Sequence, residues 1–366
     1  MRPPKCVYFG KCGGCSTQHL EYEIQLKNKL ESASSLLGIE KESIKIFSGG
    51  EFNYRNRMDF VVRGNLGLRA RGEWDSIIDI ERCPISNERL NGLLLEERKF
   101  FAENKNSKYF NVTIKYCVIR ATRISSSLSY ILNEESIHAS NIIEIIEGHS
   151  RLSSAESVII ARVPKSCEES ISNDFFAVKG TPFLQEEILG KPFAFHSQSF
   201  FQNNSSMAEK MVNYVEGLFT QSGGHLIDLY GGVGVFGISL SNKFDQVSII
   251  ESSPLSIECA MQNIKSLGAG NCSAILTDAA KVDKIRANGK LSVITDPPRT
   301  GMGRMAIEKL LSLEPEKIIY VSCNPAQLSK ELKFFFNSGY MVKSCALFDL
   351  FPQTNHFEIV YELSRA

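Results

Sequence analysis

The stretch His225-Leu-Ile-Asp-Leu-Tyr-Gly-Gly-Val-Gly-Val-Phe-Gly237 decides how the second half of this chain is read. An apolar run ends in an acid, a tyrosine and the glycines Gly231, Gly232 and Gly234, then turns hydrophobic again. This is the pattern of a strand entering a helix through a loop whose bare backbone can lie against a ligand at the carboxyl edge of a sheet. The loop has no G-x-G-x-x-G fingerprint and no P-loop lysine, which disfavours dinucleotides and nucleoside triphosphates. Twenty residues past Gly231, Glu251 closes the next apolar run, where a carboxylate can accept both hydroxyls of a ribose. A glycine loop with a ribose acid and no phosphate grip suits S-adenosylmethionine. The plainer alternative is a βα turn followed by a surface glutamate.

Working outward, apolar runs at 225–230, 246–251, 291–296 and 317–322 alternate with helical stretches at 199–219, 254–267, 303–312 and 326–337. That rhythm predicts a doubly wound α/β domain with a largely parallel sheet, beginning near residue 195 around Lys191-Pro192. Ahead of it, Leu20, Ile24, Leu30, Ala33 and Leu37 predict a helix over 17–37 with Gly38 as its stop. Segments 57–63, 66–71, 112–123, 127–132 and 157–163 read as strands, so the front is expected to be β-rich. The expected division is a cysteine-bearing segment with basic ribbons at 1–90 and a β-rich region at 91–195, together forming one domain, and the doubly wound domain at 196–366.

A length of 366 residues fits two domains, and 43% apolar with 22% charged residues is ordinary for a globular protein. No run approaches the ~18 apolar residues that cross a bilayer. Met-Arg-Pro-Pro-Lys-Cys has no signal-peptide character, so a reducing, cytoplasmic setting is expected. There, the clustered Cys6, Cys12 and Cys15 among ten cysteines favour metal binding or chemistry over disulfides. The 41 basic and 41 acidic residues cancel, which taken alone argues against nucleic acid. They are segregated, however. Arg55, Arg57, Arg63, Arg69 and Arg71 face only Asp59 between 52 and 72, and Lys105, Lys108, Lys115, Arg120 and Arg123 face no acid between 104 and 123. From 134 to 174 eight acids meet three bases.

Three further motifs carry chemistry. Thr295-Asp-Pro-Pro-Arg299 ends one strand, and its rigid corner presents Asp296 and Arg299 to the crevice. Tyr320-Val-Ser-Cys-Asn-Pro325 ends the next. A helix starting at Pro325 would lower the Cys323 thiol pKa and make it a candidate nucleophile; the alternative is a small buried residue at a strand end. Asp349-Leu-Phe-Pro-Gln-Thr-Asn-His-Phe-Glu358 offers Glu358 as a general base, with His356 structural or simply exposed.

These motifs, with Phe200-Phe-Gln-x-Asn204, resemble in kind and order those of the S-adenosylmethionine-dependent RNA uracil-C5 methyltransferases, which make 5-methyluridine in 23S rRNA and tRNA. The resemblance covers the whole second half. It implies a Rossmann-like class I methyltransferase domain of α/β fold behind a β-rich front domain carrying an iron–sulfur cluster. It also implies that Cys323 attacks C6 of uracil, that Glu358 removes the C5 proton, and that Gln202, Tyr230, Glu251, Asp278 and Asp296 hold the cofactor, Asp296 touching either the cofactor alone or also the uracil. On ligand grounds Cys6-x5-Cys12-Gly-Gly-Cys15 with Cys83 suits iron–sulfur or zinc; the resemblance implies a 4Fe-4S cluster.

Many rRNA-modifying relatives carry an N-terminal β-barrel before the cysteines, whereas five residues precede Cys6. This points to the shorter subgroup acting on a 23S rRNA hairpin-loop uridine, position 747. Gly231 departs from the Cys or Ser often found in relatives. The uridine should be flipped from its loop, with phosphates on the basic ribbons, while Phe52, Tyr54 and Phe60 either stack on bases or simply pack the sheet. Three rivals remain: a tRNA position-54 enzyme, a small-molecule methyltransferase on the same sheet, and a non-enzymatic iron–sulfur RNA-binding protein. No role is assigned to Cys117, Cys167, Cys259, Cys272 or Cys345.

Overall fold

The computed structural model describes residues 1–104, 108–287 and 289–365. Lys105 and the side chain of Lys108, both counted in the second basic ribbon, lie outside the described residues. The cysteine-bearing loop leads into α1 (Tyr22–Leu37), which closes on Gly38 at φ 67°, its N–H bonded to the Ser34 carbonyl. The expected stop holds, but the buried face does not follow the apolar spacing. Gln25, Lys29 and Ala33 are buried, whereas Ile24 is 40% exposed. β1 (Ile44–Phe47) follows.

The front sheet holds β2 (Arg57–Arg63), β3 (Asn65–Ala70), β4 (Glu73–Asp79), β5 (Ile114–Ala121), β6 (Ser126–Asn133), β7 (Ser157–Val163) and β8 (Phe175–Lys179), in spatial order β4-β3-β2-β5-β6-β7-β8. Only β6 and β7 run parallel. One face, with Phe60, Ile119, Leu128 and Tyr130, buries a core shared with α2 (Glu88–Asn104) and α4 (Ala139–Ser150), beside α3 (Lys108–Thr113). The sequence reading gave no helix over α2. Its inward stripe of Leu90, Leu93, Leu94 and Phe101 has helical spacing, but a buried glutamate, Glu97, interrupts it. Glu97 is satisfied there by Tyr130 Oη at 2.5 Å and His149 Nε2 at 2.8 Å.

The hairpin β9 (Phe183–Ile188) and β10 (Lys191–His196) passes the chain to α5 (Ser205–Gly217). Then come β11 (His225–Leu229), α6 (Val235–Ser239), β12 (Gln246–Glu251), α7 (Pro254–Ser266), β13 (Cys272–Leu276), β14 (Leu291–Thr295), α8 (Arg304–Leu311), β15 (Lys317–Ser322), α9 (Pro325–Asn337), β16 (Tyr340–Phe348) and β17 (Glu358–Arg365). The second sheet has the order β1-β16-β17-β15-β14-β11-β12-β13. β11 to β15 are parallel, and β17 runs antiparallel between β15 and β16.

The expected boundary at residue 195 is corrected at two places. β1 pairs parallel with β16, and Ala33 and Ile44 share a core with Leu332 and Phe335, so α1 and β1 belong to the doubly wound sheet. Leu184, Ile188, Phe193 and Phe195 of the β9–β10 hairpin pack with α5 and β11. Local periodicity identifies a helix but not the layer that receives it. Among the described residues no helix is long and apolar enough to cross a membrane.

Candidate active site

The carboxyl ends of β11, β12, β14 and β15 meet the start of β17. Tyr230 and Gly234 take left-handed backbone, φ 61° and 88°, to turn the chain off β11. A Cβ at Gly231 would stand 2.7 Å from Ile249 Cγ2 and 3.0 Å from Asp228 Cγ, so in this chain the position closes tightly on β12. The Gly232 N–H donates to Glu251 Oε2 at 3.2 Å, while Glu251 Oε1 accepts the Ser252 and Ser253 N–H groups, each at 2.7 Å. Asp278 caps the turn after β13, accepting from the Ala280 N–H at 2.7 Å.

Beneath the loop, Asp228 Oδ2 accepts the Gly237 N–H at 2.8 Å, while Oδ1 is buried without a partner. Burial pushes the Asp228 carboxyl up to about 7. It does the same to Asp296, helped by the neighbouring Asp228 charge. Among the described residues no ion pair joins Asp228, Glu251, Asp278 or Asp296 to a lysine or arginine, and the nearby Arg299 charge acts on Cys323 and Glu358. This rim therefore favours a positively charged ligand. Burial, then the charges of Asp278, Glu331 and Glu251, push the Tyr230 hydroxyl up to about 12, so it stays neutral.

The antiparallel register ends where Ser322 pairs with Ile359, so Cys323, the next residue after β15, lies beside Glu358, the first of β17, and feels its charge. Cys323 is half-buried and Glu358 is 5% exposed. The expectation of a thiol made acidic by a helix N-terminus is corrected. Burial, then the charges of Glu358 and Asp296, push Cys323 up to about 12, and Arg299 offsets this only in part. The first turn of α9 is also engaged by its own cap, Asn324 Oδ1 accepting the Gln327 N–H at 3.3 Å. Burial and the Asp296 charge hold Glu358 well above the usual carboxylate range. The Cys323 sulfur is therefore not held as a thiolate by its surroundings. His356 is exposed.

Two supports escaped the sequence reading. Glu331 organises the loop after Asp296: it accepts from Tyr320 Oη at 2.6 Å, Gln327 Nε2 at 3.0 Å, and the Met302 and Gly303 N–H groups at 3.3 Å. The second support is a clamp on residues 349–353. Asp349 is ion-paired with Lys29 at 2.6 Å and accepts Tyr22 Oη at 2.8 Å. Four consecutive carbonyls then find donors from four parts of the chain. Leu350 accepts from Asn204 Nδ2 at 3.0 Å, Phe351 from Lys29 Nζ at 3.1 Å, Pro352 from Tyr54 Oη at 2.9 Å, and Gln353 from the Ser16 and Thr17 N–H groups at 2.9 and 3.1 Å. Gln25 grips Gln353 by both its N–H and its side chain, each at 3.0 Å. The signal available in sequence was the polar spacing Tyr22, Gln25, Lys29 on α1. Asn204 also caps α5, and the Gln202 carbonyl accepts Asn56 Nδ2 at 3.1 Å.

Cys6, Cys12, Cys15 and Cys83 line one cavity of about 580 Å³ with Arg55, Arg57, Arg82, Trp74 and Phe200. Burial raises the first three thiols, Cys15 to about 12, and each feels Cys83. Among the described residues no three metal-ligating side chains converge where a single metal ion would sit.

The basic ribbons are largely engaged in ion pairs. Arg57 pairs with Asp59, Arg63 with Asp75, Arg69 and Lys115 with Glu168, and Arg123 with Glu209. Arg120 is buried and donates to the Ser199 carbonyl. Of the aromatics proposed to stack on bases, Phe60 is fully buried in the core and Tyr54 is tied to Pro352, while Phe52 lies under Lys5 Nζ at 4.6 Å.

Comparison with known proteins agrees with this geometry. The profile of the tRNA (Uracil-5-)-methyltransferase family matches residues 21–366. The tRNA (uracil(54)-C(5))-methyltransferase of Pyrococcus horikoshii is 32% identical over 98% of this chain and 85% of its own. The 23S rRNA (uracil(747)-C(5))-methyltransferase of Pyrococcus abyssi is 28% identical over 99% and 86%. The crystal structure of Pyrococcus abyssi tRNA (uracil-54, C5)-methyltransferase in complex with S-adenosyl-L-homocysteine superposes with a TM-score of 0.77 at 26% identity, covering 96% of this chain and 85% of that one. Family profile, sequence identity and fold agree: the chain belongs to the tRNA (uracil-5-)-methyltransferase family and is an S-adenosylmethionine-dependent RNA (uracil-C5)-methyltransferase.

Proposed function

We propose that this enzyme methylates C5 of one loop uridine in a structured RNA through a covalent adduct between Cys323 and C6. The observation that carries the reading is Cys323 lying next to the buried Glu358, beside the carboxylate rim. The residues present suit S-adenosylmethionine. Glu251 is placed for the ribose hydroxyls and Asp278 for the adenine side, with Gln202, Tyr230 and Asp296 completing the hold. Buried carboxyl groups that are raised by burial and have no ion-paired cation among the described residues suit a sulfonium. Bound there, S-adenosylmethionine supplies an electrophilic methyl group.

C5 of uracil is a weak nucleophile. The Cys323 sulfur adds to C6 as its proton leaves to solvent, and the displaced π pair spreads over C5 and O4 as an enolate. Once C5 carries the methyl group, Glu358, having released its own proton to solvent, takes the C5 proton as a carboxylate. That C–H pair re-forms the C5–C6 double bond, and the C6–S bond breaks with its pair returning to sulfur. The base must be flipped out to be reached in this way.

For the RNA itself, sequence favoured 23S rRNA. The weight of relatives favours tRNA position 54, with identities of 30–32% against 28%. We place tRNA first and 23S rRNA second. Methyl transfer onto purified tRNA and rRNA, with mapping of 5-methyluridine, separates them. Cys323→Ala should abolish transfer, and Glu358→Gln should leave a protein–RNA adduct that survives denaturing electrophoresis. Normal turnover by Cys323→Ala would sink the mechanism.

We also infer that Cys6, Cys12, Cys15 and Cys83 hold a 4Fe-4S cluster. Four cysteines line one cavity, a ligand set that suits iron–sulfur or zinc, and the irregular Cys6-x5-Cys12-x2-Cys15 spacing lacks the paired C-x2-C look of a zinc ribbon. Its contribution is structural, tying Cys83 to the N-terminal loop. Anaerobically purified protein should contain iron and acid-labile sulfide, both lost in Cys83→Ser. A chelated, aerobically purified sample that stays folded without iron or zinc would refute the assignment.

A further inference from the structure

Trp74 is the only tryptophan of the chain, and it is 60% exposed on the β3–β4 hairpin. A lone exposed aromatic needs no explanation by itself. Here, however, one face of the indole is already backed. The Arg69 guanidinium carbon stands 3.5 Å from the ring centroid. Three bonds fix that guanidinium in place: to the Trp74 carbonyl at 2.7 Å, and to Tyr116 Oη and Glu168 Oε2, each at 2.9 Å. The backing group is therefore oriented before any ligand arrives, so little side-chain freedom remains to be lost on binding. Trp74 also lines the cavity that Arg55, Arg57 and Arg82 border, together with a second exposed aromatic, Phe200, at 68%. Phe200 lies two residues before Gln202 of the candidate cofactor site. An open π face beside arginines is the composition that holds unpaired nucleotides, and every base has a face to stack.

Building on the RNA-methyltransferase reading above, we propose that Trp74, backed by Arg69, is the stacking platform for an unpaired nucleotide flanking the target uridine. A base laid on the free face completes a base–indole–guanidinium sandwich at the cavity's rim. Stacking does not discriminate strongly among bases, so this contact contributes grip and strand orientation rather than choice of sequence.

Because there is one tryptophan, emission excited at the red edge of the indole band, where the eleven tyrosines do not absorb, reports on this residue alone. Full-length protein is titrated with oligouridylate and with an RNA duplex of equal length. Oligouridylate should quench the emission saturably and the duplex should not. Trp74→Ala should raise the Kd for oligouridylate and the KM for a hairpin RNA by about 5- to 100-fold, with the loss falling on KM rather than kcat, and Trp74→Phe should recover most of it. The slope of log Kd against log salt should hold, since phosphate contacts remain. The proposal is overturned if emission stays unchanged while filter binding shows oligouridylate bound, or if Trp74→Ala binds RNA as tightly as the parent. Failure of the broader reading would show separately, as no transfer of labelled methyl to any RNA by the unaltered protein.

Discussion

Replacing Lys29 with methionine asks whether the clamp ahead of Glu358 carries real energy. Lys29 and Asp349 are 3% and 0% exposed, and their ion pair is closed at 2.6 Å. Without the ammonium, the Asp349 carboxylate stays buried with only the Tyr22 hydroxyl, at 2.8 Å, to satisfy it. The Phe351 carbonyl keeps Thr354 Oγ1 at 2.8 Å, and methionine retains most of the lysine stem, so packing changes little. Breaking a buried pair from one side costs about 3–5 kcal/mol, whereas replacing both partners costs far less. Lys29→Met should therefore lower the unfolding free energy by about 3–5 kcal/mol. The double variant Lys29→Met/Asp349→Asn should return to within about 2 kcal/mol of the parent. Urea unfolding followed by circular dichroism gives both values. A single variant within about 1 kcal/mol of the parent, or a double variant no better than the single, would refute the argument. A kinetic companion is expected as well: adduct decay slower than adduct formation, because Glu358 follows directly from the loosened segment.

Asp228 and Asp296 both stand at about 7 without a bound cation. S-adenosylmethionine affinity should therefore rise with pH up to about 7 and level off above it, while the uncharged thioether S-adenosylhomocysteine shows a shallower profile; parallel profiles by calorimetry would contradict the sulfonium match. A raised carboxyl pKa in the folded state means stability from Asp228 is greatest below about pH 4, falls as pH rises towards 7, and is flat beyond. Asp228→Asn should flatten that fall in thermal melts across pH. Glu331→Ala leaves four donors around one buried site, so the KM for S-adenosylmethionine should rise as the loop after Asp296 loosens, with destabilisation of about 2–4 kcal/mol. An unchanged KM would remove Glu331 from the positioning role.

The doubly wound sheet was legible because strands buried on both faces read as unbroken apolar runs. The expected runs at 246–251 and 317–322 coincide with β12 and β15. Nearby helices announce themselves through Ser253 and Asn324 as caps with proline just after. What failed did so for reasons no local window can see. Gln25 and Lys29 read as the solvent side of α1 because their partners, Gln353 and Asp349, lie more than 300 residues away. The ribbons read as open positive charge because Glu168 and Glu209 come from other segments. Cys323 read as an activated thiolate because the sequence shows the helix that follows it but not the two carboxyl groups gathered beside it.

The pairing of β1 with β16 makes the front sheet an insertion within the catalytic domain rather than a module placed before it. The N-terminal cysteine loop also packs on the front sheet, so the chain crosses between the parts three times, through residues 16–21, 48–56 and 180–182. Three crossings leave the front sheet no free swivel, which limits how far it can drift from Cys323. The same arrangement sets an order of assembly. α1 and β1 are synthesised early, yet the edge strand and the aspartate that receive them come more than 300 residues later. Vectorial folding should thus finish the front sheet first and close the catalytic sheet last, with the buried lysine docking only when its carboxylate exists.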